Sequence, residues 1–139
     1  MISSATVSTE LGLVLVVPGR GSVPLVASLS YSADDPYAIR IAFDVGTAEP
    51  VEWIFARELL ATGLAYPAGD GDVQVCPAPP GRRDVLNIAL SSPSGQARFE
   101  APASATSDFL HLTYDIIAAG REDEFIDVDD ELDELPWRA

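Results

Sequence analysis

Residues 51–64, Val-Glu-Trp-Ile-Phe-Ala-Arg-Glu-Leu-Leu-Ala-Thr-Gly-Leu, change their period within one stretch. Val51, Trp53 and Phe55 recur every second position, which places them on one face of a strand. Ala56 to Thr62 are mostly good helix formers, and no Gly or Pro interrupts them. The pattern predicts a strand passing directly into a short helix, with Gly63 as a left-handed C-terminal cap. Trp53 and Phe55 are the expected core anchors of this stretch.

The same alternation marks the segments before it. Thr6 to Val17 predicts a long strand with Val7, Leu11, Leu13, Leu15 and Val17 on one face, its second half covered on both sides. Pro18-Gly19-Arg20-Gly21 is a turn signature, and the return strand carries Val23, Leu25, Leu29 and Tyr31. Asp34-Asp35-Pro36 breaks the chain. The third strand then places Tyr37, Ile39, Ile41, Phe43 and Val45 inward, with Arg40 and Asp44 outward.

After a loop with Pro67, Gly69 and Gly71 comes a shorter set. Val73 and Val75 mark one strand and Val85 to Leu90 another. Ser92-Pro93-Ser94-Gly95 predicts a tight turn. Ala97, Phe99 and Ala101 face in on the last strand, and Gln96, Arg98 and Glu100 face out. Pro102 suits a first helical turn, and Phe109, Leu112, Thr113 and Ile116 form the expected inner stripe of a helix ending at Gly120. Seven strands and two helices make an α+β domain. Curling the strands into a barrel or two packed sheets would remove exposed edges. The predicted domain spans residues 1–121, followed by an acidic segment, 122–139. There Val128, Leu132 and Leu135 keep helical spacing over Phe125 to Leu135, either as a short helix laid on the domain or a neighbour, or as a frayed tail.

Charge narrows the partners. The 139 residues carry a formal net charge of −14, no Lys and eight Arg, and residues 122–134 hold nine acids and no base. Clustered bases supply most of the affinity for phosphate backbones, so neither nucleic acid nor an anionic membrane surface is an expected partner. The longest apolar runs, Leu13 to Val17 and Ile116 to Ala119, are too short to span a bilayer. No signal peptide is expected. The single Cys76 suits a reducing compartment and the role of a small packed hydrophobe.

No constellation for catalysis, metal or cofactor binding is predicted. Asp127, Asp129, Glu131 and Asp133 alternate like a calcium loop, but Leu132 and Arg138 stand where Gly and Glu are needed. His111, the only histidine, lacks partners with zinc-site spacing. Ser91, Ser92 and Ser94 read as turn residues, and the paired glycines at 19 and 21 and at 69 and 71 lack the rest of a dinucleotide loop. Arg57 and Glu58 remain, with two readings. They form local surface salt bridges of little worth, or a rigidly mounted polar patch at a subunit or partner interface, where Arg is favoured.

Asp35-Pro36-Tyr37-Ala38, Phe43, Val51 to Leu60, Gly71-Asp72-Val73, Leu90 to Gly95, Glu100-Ala101-Pro102 and Phe109-Leu110 follow one another along nearly the whole chain. In these residues the sequence resembles the SsgA-like sporulation and cell-division proteins. It departs from them at Cys76, where the family often has Trp, and at Ala119-Gly120, in place of Pro-Gly. The resemblance implies a seven-stranded antiparallel β-barrel-like core with two flanking helices, similar to the Whirly-type nucleic-acid-binding fold. It also implies a homo-oligomer, with a trimer as the leading state. The implied role is that of a cytoplasmic, non-enzymatic adaptor in sporulation-specific septum formation, concentrated at division septa. The implied partners are the tubulin-like division GTPase FtsZ or another SsgA-like protein. A single-stranded nucleic-acid-binding Whirly-like module is the competing expectation. It rests on fold analogy alone, and few, scattered bases speak against it.

Overall fold

The strands pair in the order β4-β3-β2-β1-β7-β6-β5, all antiparallel. They are β1 (Thr6–Val17), β2 (Gly21–Ser32), β3 (Ala38–Phe43), β4 (Val51–Ala56), β5 (Val73–Pro77), β6 (Val85–Ser92) and β7 (Gly95–Pro102). Helix α1 (Arg57–Gly63) continues β4 without a break, and α2 (Ala103–Ile116) continues β7. A short 3-10 helix, Glu122–Phe125, follows. The computed structural model describes residues 5–17, 19, 21–43, 51–79, 81, 84–93 and 95–125. Most of the expected helix from Phe125 to Leu135 lies outside them, as do Asp44, Val45 and the acids of the calcium-like run.

The first strand pairs with the second over its whole length, Thr6 with Ser32 through Val17 with Gly21. Because side chains alternate, that register puts Leu11, Leu13, Ala27, Leu29 and Tyr31 on one buried face. Ile39, Ile41 and Phe43 join them, as their spacing predicts. Tyr37 does not: it precedes the strand and its side chain is exposed. On the other side of β1, Leu86, Ile88, Leu90, Phe99 and Ala101 complete the apolar face. Each Leu, Ile or Phe among them contributes about 1.5–3 kcal/mol on burial.

The sheet curls. β3 and β7 stand three strand spacings apart in the pairing order, about 14 Å in a flat sheet. Yet the rings of Phe43 and Phe99 stack with centroids 4.5 Å apart. The curl stops short of closure, since β4 and β5 do not pair among the described residues. The expected barrel-like core is therefore a half-barrel with a seam between β4 and β5.

Both helices pack on the concave face. Phe109, Leu110 and Leu60 belong to the same core as the inner strand residues. The buried stripe of α2 is Thr106, Phe109, Leu110 and Thr113, with Ile117 just beyond. Leu112 is exposed while Phe109 and Thr113 are buried as expected, which rotates the expected stripe by about a sixth of a turn toward the side of α2 that carries Leu110. Gly63 also has a different role from the one expected. It lies inside α1, with no positive φ, and is buried where a Cβ would collide with Val75 of β5. The absence of a side chain lets α1 press on the sheet.

The start of α2 is capped from a distance. Pro102 at the N-cap supplies no side-chain hydrogen bond. Instead Asp84, held at φ 59°, accepts from Ser104 N–H through its carboxylate at 2.6 Å and from Ala103 N–H through its carbonyl at 3.1 Å. The hydrogen bonds from Ser104 hold the Asp84 carboxyl below its ordinary pKa, the effect expected of a carboxylate at a helix N-terminus.

Candidate functional site

Two features of the half-barrel stand out, one at each end of β4. At the end where β4 becomes α1, Arg57 is 1% exposed. Its guanidinium carbon sits 4.8 Å from the ring centroids of both Tyr31 and Tyr114, so the two rings sandwich it. Nη1 donates to the carbonyls of Ile117 at 2.8 Å and Thr113 at 3.3 Å, and to Thr113 Oγ1 at 3.4 Å. Nη2 donates to the Ala118 carbonyl at 3.5 Å and to Glu122 Oε2 at 2.8 Å.

These acceptors have a common origin. The last turn of a helix leaves carbonyls without partners and carries partial negative charge. α2 has no base of its own in its last turn, and Arg57 supplies one from another element. Glu122 balances the charge, and the hydrogen bond from Arg57 lowers its pKa. Tyr31 is shifted the other way, raised by burial, and its hydroxyl donates to the Pro36 carbonyl at 2.8 Å. The junction therefore fixes α1, the end of α2 and the 3-10 helix against β2.

Arg57 is thus not the exposed residue that the sequence suggested, and it makes no surface pair with Glu58. The inward parity of Val51, Trp53 and Phe55 continues through it. Glu58, the next residue, is exposed, so the two expected patch residues face apart. Glu122, assigned to a separate acidic segment, is tied to the body through this pair. Of the expected anchors, Phe43, Phe55 and Phe109 are buried. Trp53 is only half-buried, packed on the edge of the core.

At the other end of β4 the concave face is open. An apolar groove of about 340 Å³ lies there, lined by Leu15, Phe43, Trp53, Leu90, Ala97 and Phe99 among others. Sequence reasoning placed most of these on an inward face. It missed that the helices cover only part of that face, since both helices follow strands that end at the same side of the sheet. Arg40 and Glu52 form an exposed pair on the outer face, 3.4 Å apart. Cys76 is partly buried and unpaired. His111 is exposed on α2, edge-on to Tyr114 at 6.4 Å. Among the described residues, no three His, Cys, Asp or Glu side chains converge as metal ligands would. No described helix is long and apolar enough to cross a membrane.

This arrangement has relatives. A family described as "Streptomyces sporulation and cell division protein, SsgA" matches residues 25–122. Sporulation-specific cell division protein SsgB of Thermobifida fusca is 55% identical over 132 residues, covering 95% of this chain and 96% of that protein. Its namesake in Streptomyces coelicolor is 47% identical, with 95% and 96% covered. The crystal structure of an SsgA-like sporulation-specific cell division protein from Thermobifida fusca superposes with a TM-score of 0.85 at 54% identity, over 96% of this chain and 98% of that one. A second structure comes from work on SsgB mutations that correlate to longitudinal cell division during sporulation of Streptomyces coelicolor. It gives 0.83 at 47% identity, over 88% and 97%. On these matches, the chain belongs to the SsgA family of sporulation and cell division proteins.

Proposed function

We propose that this protein is a non-enzymatic adaptor in sporulation-specific septum formation, which positions or recruits FtsZ or another SsgA-like protein at future septa. A role in sporulation septation follows from its family and from relatives that share its length, fold and the name of sporulation-specific cell division proteins. The finer reading is carried by one structural observation: the buried Arg57 and its polar partners are consumed in internal bonds. What remains outward is surface, including an apolar groove beside a sheet edge. Recruitment requires such surfaces, and multiplied copies of them raise avidity without any new chemistry. A homo-oligomer located at septa would supply that valency.

The test is a fluorescent fusion of the full chain followed in sporulating filaments, with FtsZ present and depleted. The adaptor reading expects a ladder of foci at septal sites that precedes or accompanies FtsZ assembly. A fusion that stays diffuse while septa form would overturn it.

A further inference from the structure

Asp70 is followed by Gly71, and no other Asp or Asn in the chain precedes a glycine. The pair lies in the loop between α1 and β5, and both residues are exposed. Among the described residues, nothing accepts a hydrogen bond from the Gly71 N–H and nothing donates one to the Asp70 carboxylate. The space around Gly71 is open, with no atom within 4 Å of where a Cβ would stand.

This combination lets a backbone rearrange. Glycine has no Cβ to shield its own nitrogen or restrict its torsions. The Gly71 nitrogen attacks Cγ of the protonated Asp70 carboxyl, and a C–N bond forms. The amide proton and the carboxyl hydroxyl leave together as water, which closes a five-membered succinimide. Water then opens the ring at either carbonyl. Opening at the former main-chain carbonyl sends the chain through Cβ and Cγ, an isoaspartyl linkage one carbon longer than before. The loop has little slack for that carbon. Ala68 and Val75 donate to each other's carbonyls at 2.8 and 3.0 Å, which closes residues 69–74 into a loop on the outer edge of β5. Ser91 N–H holds the Asp72 carbonyl at 2.8 Å. The loop doubles back so closely that a Cβ on Gly69 would collide with the Val73 carbonyl oxygen.

We propose that Asp70 is a site of spontaneous isomerisation, and that its isoaspartyl product breaks the Ala68–Val75 bridge and uncovers the β5 edge. The reaction loses one water and regains one, so it requires no co-reactant. An uncovered edge strand presents unpaired N–H and C=O groups to other chains, so the change bears on association as well as on age. The chemistry is independent of the adaptor reading.

The test incubates the folded full chain at mildly acidic pH, warmed but below its unfolding transition. Digestion and electron-transfer fragmentation then distinguish the two linkages at each Asp. The expected result is isoaspartate that accumulates at position 70 ahead of every other Asp, preceded by a species lighter by one water. Gly71→Ala should lose most of that product, because the added methyl hinders the attacking nitrogen. Its fold should be kept, since position 71 has open space and a φ outside the left-handed region. Hydrogen exchange reads the second part. The Val75 N–H, which donates to the Ala68 carbonyl, should exchange faster in the aged parent than in the fresh parent or the aged Gly71→Ala chain. No isoaspartate at position 70, isoaspartate spread evenly over the aspartates, or equal yield in Gly71→Ala would overturn the site. A Val75 amide as slow in the isomerised chain as in the fresh one would overturn the loss of the bridge.

Discussion

At position 57 the chain places a full charge where the alternation calls for an apolar residue. A buried cation is tolerable only when its hydrogen bonds and charge are met, and Arg57 makes five such bonds, one of them to Glu122. Removing one member of a buried pair strands the other, at a cost of about 3–5 kcal/mol. Arg57→Ala should therefore lower the unfolding free energy by about that amount, measured by urea or guanidinium denaturation. Arg57→Lys should fall between, since a point charge cannot reproduce the planar stack on Tyr31 and Tyr114. A cost near zero would mean that the guanidinium is free. Glu122 adds a pH signature. Its folded pKa lies below the ordinary Glu value, so its contribution is complete above the unfolded value of about 4.3. That contribution disappears as pH falls through the lowered folded value. Denaturation midpoints should hold from neutrality down to about pH 5 and then decline, and part of that decline should be missing in Glu122→Gln. The parity of residues 51, 53 and 55 already pointed Arg57 inward. Nothing local identified its acceptors, because Thr113, Ile117 and Glu122 lie more than fifty residues away along the chain.

The elements themselves were largely legible. Period-two runs located all seven strands, and the direct strand-to-helix passage after Phe55 is present as the residue types predict. What pattern could not give was the rotation of a helix against its sheet. α2 carries apolar residues on more than one side, so Leu110 and Leu112 are equivalent in spacing and only the curl of the sheet decides between them. Gly63 illustrates the same limit. A Gly near a helix end signals a left-handed cap, yet here it marks the close approach of α1 to Val75. Gly63→Ala should destabilise the fold by about 1–3 kcal/mol, as overpacking does, and Val75→Ala in the same chain should recover only part of the loss, because the Cβ it keeps stands 2.5 Å from the added methyl. That coupling is read from a double-mutant cycle of unfolding free energies. A Gly63→Ala chain as stable as the parent would show that α1 can withdraw. Asp84, which caps α2 from twenty positions away in sequence, carries no local signal, because the helix borrows it from the loop before β6.

For the whole molecule, the family was readable from motifs spread along the chain, and closure of the barrel was not. Seven strands can close or stay open, and the choice depends on how α1 and the 64–72 loop fill the gap between β4 and β5, which no periodicity encodes. Charge speaks at this scale as well. With −14 overall and no Lys, little counterion release is available to drive binding to nucleic acid. The full chain should show no submicromolar affinity for single-stranded DNA or RNA by anisotropy at ~0.15 M salt, and such binding would revive the nucleic-acid reading. The central claim is that this half-barrel serves sporulation septation. Its most direct test is deletion of the gene in its own host, with septa counted in sporulating filaments before and after the chain is resupplied. The account predicts filaments that fail to septate and recover when the intact chain returns. Filaments that septate normally without it would contradict the account.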